Sequence, residues 1–315
     1  MKKTIIALMA LAGVASAFND AIWTFEDNLN SETGTGLRSV TAVAYGKGGT
    51  NKTGGNFTST TATYSASGMT VGTKVGNYYL DADLGKSITL SGGNYILVSD
   101  KYWANSDGKI GSVAQMLPDN GNYSGSDWSE DTVNKYKNSY TLMAWVKFDN
   151  VATKDEQGNV TKAASSAIFG TGVDTQGVAF NLIDGDDLNL CTKGVSDHRT
   201  DGSLTLSANT WYNVAVTYDC NTDKANYYLN GVLVGTKTVD NFRYAQDDSF
   251  AAIGAGSTTG KDALSGSIAE FKILSGALDQ AGILKAAHLT TVPEPTTATL
   301  SLLALAGLAA RRRRK

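Results

Sequence analysis

Polar and apolar residues alternate most cleanly between Trp211 and Thr236, in the run WYNVAVTYDCNTDKANYYLNGVLVGT. Tyr212, Val214, Val216 and Tyr218 fall on one face, with Asn213, Ala215 and Thr217 on the other, the two-residue period of a strand with one dry face. Asn230-Gly231 then separates two further apolar runs, and these residue types tolerate the positive φ that both central positions of a type I′ hairpin require. A two-residue turn sets the register. Leu229 opposes Val232 and Tyr227 opposes Val234, while Tyr228 and Leu233 share the other face. The segment predicts a three-strand antiparallel meander.

The same alternation recurs from Tyr140 to Phe148. Tyr140, Leu142, Ala144, Val146 and Phe148 lie on one face, and Thr141, Met143, Trp145 and Lys147 on the other. Shorter strands are predicted at Ile22–Phe25, Ser87–Leu90, Tyr95–Val98, Ala167–Phe169, Phe250–Gly254 and Gly266–Leu274, with a Gly92-Gly93 turn between the second and third. Val178–Ile183 and Leu188–Thr192 flank Asp184-Gly185-Asp186-Asp187, which predicts a hairpin. Residues 41–80 are rich in Gly and Thr and carry at most a short irregular hairpin. Residues 99–139 form a long insert without a sustained period, in which Ser126 or Asp127 could cap a short helix reaching Tyr136. Asp279 caps a second short helix that runs to His288. Gly170-x-Gly172 and Gly254-x-Gly256 lack the third glycine and following helix of a dinucleotide loop and read as turns.

Both ends differ from this body. Residues 1–17 have Lys2 and Lys3, an apolar run from Ile5 to Val14, and Ala15-Ser16-Ala17, the pattern of a secretory signal peptide cut after Ala17. At the other end Val292-Pro293-Glu294-Pro295 precedes a Leu/Ala-rich run from Thr296 to Ala310 and then Arg311 to Lys315. The run is shorter than the roughly 20 residues of a comfortable membrane span. The terminal cations favour keeping that end in the cytoplasm while the body is outside. The body is therefore assigned to residues 18–292 and the tail to 293–315.

Two resemblances follow from these residues. Trp211-x-x-Val214-Ala215-x-x-Tyr218-Asp219 followed by Tyr228-Leu229-Asn230-Gly231 resembles the most recognisable segment of laminin-G-like domains of the concanavalin-A-like jelly-roll class. The strand ending Trp145-Val146-Lys147, the run Ile268-Ala269-Glu270 and the opening Trp23-x-Phe25 extend the likeness over roughly residues 22–289. It implies an all-β fold, one antiparallel β-sandwich with a short C-terminal helix. In that family a structural calcium can clamp the first loop to the last strand. Here Asp27, Asn30, Glu32 and Glu270 offer oxygens, although Ala269 stands where relatives carry an acidic ligand. The order of Pro293-Glu294-Pro295, apolar run and basic cluster resembles the PEP-CTERM sorting tail of Gram-negative bacteria. That likeness implies export, transient insertion in the inner membrane and cutting near the motif by an exosortase-type sorting enzyme, with a simple tail anchor as the alternative. The destination would be the cell surface, outer membrane or extracellular matrix.

Charge and candidate chemistry narrow the function. Residues 18–292 carry 20 Lys and Arg against 29 Asp and Glu, about −9, which argues against nucleic acid and anionic lipid as partners. The body's glutamates, Glu26, Glu32, Glu130, Glu156 and Glu270, are scattered and do not make the paired carboxylates of a glycosidase. Asp81/Asp83 and Asp186/Asp187 fit turn chemistry. His198 and His288 lack a second ligand at helical spacing. Cys191 and Cys220 allow one disulfide or two separate thiols, since Cys191 is out of phase with Leu188 and Leu190. Trp103 and Trp128 in the insert, with Trp145 and Asn213 on the less apolar face of the central strands, are the residue types that stack on and hydrogen-bond sugars; the bland alternative places these rings in the core. The pattern points to a non-enzymatic module for glycan or a neighbouring surface protein. A purely structural matrix protein is the alternative, and a glycan-active hydrolase is a third.

Overall fold

The computed structural model describes residues 20–26, 29, 41–45, 62–99, 139–162, 164–171, 178–192, 198–202, 204–239, 250–257 and 260–291. The elements in chain order are β1 (Ala21–Trp23), β2 (Thr41–Tyr45), β3 (Thr63–Ala66), β4 (Lys74–Val75), β5 (Tyr78–Leu80), β6 (Lys86–Leu90), β7 (Tyr95–Ser99) and β8 (Tyr140–Phe148). Next come β9 (Thr153–Lys154), β10 (Val160–Lys162), β11 (Ser166–Thr171), β12 (Val178–Ile183), β13 (Asp187–Thr192), β14 (Trp211–Asp219), β15 (Lys224–Leu229) and β16 (Val232–Thr238). The chain then forms β17 (Phe250–Ile253), β18 (Gly266–Ser275), α1 (Gln280–Ala286) and β19 (Leu289–Thr290).

Two antiparallel sheets face each other. The first runs β16-β15-β14-β8-β18-β6-β3, with β1 also pairing β18, and the second runs β13-β12-β11-β17-β7-β2. Val214 and Val216 from β14 meet Leu142 and Val146 from β8 in one core, together with Phe169, Phe180, Leu182 and Leu190 from the second sheet. This is the predicted sandwich, with the predicted dry faces inward. Tyr227 stitches the layers: its hydroxyl accepts from Leu190 N at 3.1 Å and donates to His198 O.

The meander forms as read, with φ of 50° at Asn230 and 77° at Gly231. Leu229 opposes Val232 and Tyr228 opposes Leu233, but a bulge between Tyr227 and Tyr228 sets Tyr227 against Gly235 instead of Val234. A bulge places two residues of one strand against one of its partner, so the register slips past it. β6 and β7, separated by Gly92-Gly93, belong to different sheets, so that turn carries the chain across the sandwich. Gly170 corrects another expectation: it lies in β11, not in a turn, and a Cβ there would meet the Gly256 carbonyl carbon at 2.1 Å. The glycine is needed because a second backbone crosses directly over it.

A third layer covers the outer face of the first sheet. β19, β5 and β4 form a small sheet, and with α1 they bury Met143, Trp145, Ala215 and Tyr228 under Val75, Leu80, Ile283 and Leu289. Asp279 is the N-cap of α1, its Oδ1 accepting from Gly282 N at 2.8 Å, as the sequence predicts.

Candidate functional site

The outer face of the first sheet is built from registered rows across three strands. Asn213 on β14 opposes Trp145 on β8, which opposes Glu270 on β18; the next row is Ala215, Met143 and Lys272. The cap closes over both. Trp145 is fully buried, and its Nε1 donates to Ala287 O at 3.2 Å. Lys272 donates to Ala286 O and lies 3.0 Å from Glu270 Oε2. Thus an indole and an ammonium satisfy carbonyls at the C-terminal end of α1, where the helix leaves acceptors without internal donors and where positive charge is favoured. His288 completes the cluster, with Nε2 3.6 Å from Glu270 Oε1 and Nδ1 3.7 Å from Asp81 Oδ1. Burial pushes the Glu270 carboxyl up, but Lys272 and His288 together outweigh it and hold the group below its ordinary value.

This arrangement corrects three candidate assignments. Trp145 does not line an open groove, because α1 and the small sheet cover it, and Asn213 beside it is fully buried. The side-chain nitrogen and oxygen of Asn213 are buried without a hydrogen-bond partner among the described residues. Glu270 does not fit a calcium site: a cation beside it would be repelled by the Lys272 ammonium, which already neutralises the carboxylate. The remaining expected ligands, Asp27, Asn30 and Glu32, lie outside the described residues. So do Trp103 and Trp128 of the insert and the processing residues Ala17, Pro293, Glu294 and Pro295. Among the described residues, no three of His, Cys, Asp or Glu gather as a metal site.

No disulfide joins Cys191 and Cys220. Cys191 is on β13 in the second sheet and alternates away from the core-facing Leu188 and Leu190; Cys220 follows β14 in the first sheet and packs against the core. Its Sγ accepts from Ser139 Oγ at 3.3 Å.

The carboxylates at and beside the β12–β13 turn have partners elsewhere in the chain. Asp184 is 2.6 Å from Arg199 Nη1, and Asp186 is 2.9 Å from Lys154 Nζ. Asp187 Oδ1 accepts from Thr200 Oγ1 and from Gly202 N. These contacts tie Lys154 and segment 198–202 to the β12–β13 hairpin, so the carboxylates serve tertiary ties and not the turn hydrogen bonding expected from the sequence.

One polar group on the second sheet has no such account. Asn181 and Asn189 oppose each other across β12 and β13, on the face away from Phe180, Leu182, Leu188 and Leu190. Asn189 Oδ1 accepts from His198 N at 2.9 Å. Asn181 is 7% exposed, and its Oδ1 has no hydrogen-bond partner among the described residues. Leaving a buried acceptor unsatisfied costs about 1–3 kcal/mol, so its retention asks for a reason. Sequence reasoning passed over this residue. The available signal was two asparagines at mirrored positions around Asp184-Gly185-Asp186, each on the outward phase of an otherwise apolar strand.

Residues 120–284 match the family model of the concanavalin A-like lectin/glucanases superfamily. Residues 291–315 match the PEP-CTERM protein-sorting motif. No curated protein matches this chain. Among solved structures, domain 4 of AbnA, a GH43 extracellular arabinanase from Geobacillus stearothermophilus, in complex with arabinotriose, is 18% identical with a TM-score of 0.51; the match covers 85% of this chain and 97% of that one. A botulinum neurotoxin type C structure, described with cell entry dependent upon two ganglioside molecules, is 12% identical over 86% of this chain and 51% of that one, with a TM-score of 0.47. The CBM40 of Ruminococcus gnavus IT-sialidase, bound to α2,3 sialyllactose, is 13% identical over 47% of this chain and 82% of that one, with a TM-score of 0.38. The observed sandwich and the match over its central strands agree: the chain belongs to the concanavalin A-like lectin/glucanases superfamily and carries a PEP-CTERM sorting tail.

Proposed function

We propose that this protein is a non-enzymatic, glycan-binding surface module, delivered by its tail to the cell surface, outer membrane or matrix of a Gram-negative bacterium. An exosortase-type enzyme would process it at Pro293-Glu294-Pro295 after transient insertion in the inner membrane. The observation that carries the binding reading is the unpartnered, buried Oδ1 of Asn181 on the outer face of the second sheet. That oxygen is closed off from solvent, so a sugar hydroxyl would reach it only once the residues enclosing it move aside. Trp103 and Trp128 of the insert are the rings proposed to stack on the sugar's apolar face. The arabinotriose complex of the arabinanase domain supports a saccharide as the ligand class, by analogy of fold alone. The engagement of Glu270, Asp184, Asp186 and Asp187 supports binding over hydrolysis, since each carboxylate has a structural partner. A second reading, a structural matrix protein, is favoured by the cap that buries Trp145.

The test is a glycan array with the tail-processed body, followed by Asn181→Ala, Trp103→Ala and Trp128→Ala, each checked for folding by circular dichroism. Loss of the Asn181 acceptor should weaken binding about tenfold or more, the worth of a buried hydrogen bond. Unchanged binding in all three folded variants removes this site. No binding to any glycan leaves the structural reading.

A further inference from the structure

Tyr95 and Asn181 stand in one row across the outer face of the second sheet. Ile96 pairs with Ile253, which sets Tyr95 of β7 beside Gly254 at the end of β17. Gly254 N donates to Ile168 O of β11, and the neighbouring Ala167 opposes Asn181 of β12. Ile96 and Ile253 point into the inter-sheet core, whereas Tyr95 belongs to a separate buried cluster with Ala252 and Ala255. Three strand spacings separate the ring from the amide, about 14 Å. Between them the sheet carries Ala252, Gly254, Ala167 and Gly170, with no side chain larger than a methyl group.

Residues 254–257 and 260–264 lie over this floor as the two arms of a hairpin. Gly256 N donates to Lys261 O at 2.7 Å, and Leu264 N donates to Gly254 O at 2.8 Å. A Cβ on Gly260 would meet Cε1 of the Tyr95 ring at 2.8 Å, so this arm rests on the ring. A Cβ on Gly256 would lie 3.3 Å from the Ala167 Cβ and 4.0 Å from Asn181 Nδ2, so the other arm reaches the amide. The neck is fixed, because Leu264 is part of the inter-sheet core. Beyond the neck the hairpin meets the sheet through Ala255, Gly256, Gly260 and Ala263, and through a bond from Ala167 N to Asp262 O at 2.8 Å. Alanine and glycine bury little apolar area, so lifting the arms uncovers little beyond the Tyr95 ring. A segment bonded within itself and lightly packed beneath can open as a unit.

We infer that this hairpin roofs a closed saccharide groove, which opens to offer the Tyr95 ring for stacking and Asn181 Oδ1 for a sugar hydroxyl. The inference rests on the glycan reading and deepens it, naming the groove, its ring and what closes it. A stacked sugar replaces the contact of Gly260 with the ring. A hydroxyl satisfies the acceptor that the closed form leaves without a partner among the described residues. The spacing of ring and acceptor suits a short oligosaccharide better than a single sugar, and the uncharged floor suits a neutral one. The groove is closed in the structure, so apparent affinity is reduced by the fraction of molecules that are open.

The test fastens the roof. Ala167→Cys with Gly256→Cys sets two Cβ atoms 3.3 Å apart, close to the roughly 3.5–4.5 Å of a disulfide. Peptide mapping confirms that this bridge forms and that Cys191 and Cys220 stay out of it. Neutral oligosaccharides captured by the wild-type body on a glycan array are then titrated against the double variant, oxidised and reduced. Oxidation should weaken binding about tenfold or more, because a fastened roof removes the open state, and reduction should restore it. Tyr95→Leu, which keeps an apolar side chain under Gly260, should weaken binding by a similar factor with the circular dichroism unchanged. Equal binding by the oxidised and reduced forms overturns the roofed groove and leaves the glycan reading standing. If the reduced form also fails to bind, Tyr95→Leu decides, and unchanged binding there overturns the groove. Capture of no neutral oligosaccharide by the wild type overturns the groove, and capture of no glycan of any kind overturns both readings.

Discussion

The indole N–H of Trp145 and the carbonyl of Ala287 meet at 3.2 Å in a buried hydrogen bond between the central strand of the first sheet and the end of α1. It ties the C-terminal cap to the middle strand of the first sheet, and it explains why a tryptophan sits on the sheet's outer face. Trp145→Phe keeps most of the ring's burial but leaves the carbonyl unsatisfied. The expected cost is about 1–3 kcal/mol, and the melting temperature should fall by about 2–4 °C per kcal/mol. Amide exchange should accelerate along residues 280–290 more than in β14. A uniform change across both would show that the bond is not specific to the cap.

Glu270 gives the cap an acid dependence. Its folded-state pKa lies below the unfolded value of 4.5. The stabilisation is therefore present above about pH 4.5 and is lost as pH falls through the depressed folded value. Denaturant midpoints of wild type and Glu270→Gln should differ at pH 7 and converge in acid below that window. At neutral pH the variant leaves the Lys272 charge without its carboxylate, a loss on the order of 3 kcal/mol for a broken buried pair. A difference independent of pH would show that the ion pair does not titrate as a folding-linked group.

Thiol titration of the denatured, unreduced mature protein should find two thiols. The basis is that Cys191 and Cys220 sit on different sheets and on different sides of the core. Finding none would require the β13 edge to be rearranged.

Gly170→Ala should be severely destabilising, since its Cβ would meet the Gly256 carbonyl carbon at 2.1 Å and the carbonyl oxygen at 2.3 Å. Overpacking of this kind costs about 1–3 kcal/mol or more. The matched control is Gly256→Ala, whose nearest contact would be the Ala167 Cβ at 3.3 Å. Equal melting temperatures for the two variants would mean that the backbones separate easily at this crossing.

The sandwich was legible wherever one face of a strand is dry. Tyr140–Phe148 and Trp211–Asp219 alternate without interruption because one side of each strand packs into the inter-sheet core. Four things were hidden for definite reasons. The bulge beside Tyr227 leaves the alternation of residues intact while moving the pairing by one. The separation of β6 from β7 depends on where Gly92-Gly93 sends the chain, and turn residues specify a change of direction more readily than a destination. The cap was hidden because Asn213, Thr217 and Lys147 make that face look solvated. The opposite charges of Glu270 and Lys272, two apart on β18, were the sign that something covers it. Asn181 was missed because a single asparagine in an apolar strand resembles ordinary edge polarity until its missing partner is seen.

The pairing of β1 with β18 has a consequence for the order of events during export. Asp20 accepts from Ser275 N at 2.8 Å, and Trp23 packs on Phe271 with ring centroids 5.6 Å apart. A chain emerging amino end first exposes Trp23 and Phe25 well before the strand that shelters them arrives. β18 is also a neighbour of β8, so its late arrival leaves the middle of the first sheet open as well. Such non-local pairing is slow and leaves partly formed sheets prone to association. An export product halted before residue 266 would present a bare aromatic strand and one open edge of β8 to proteases and neighbouring chains. Completion of the fold and arrival of the sorting tail therefore belong to the same final stretch of passage across the membrane.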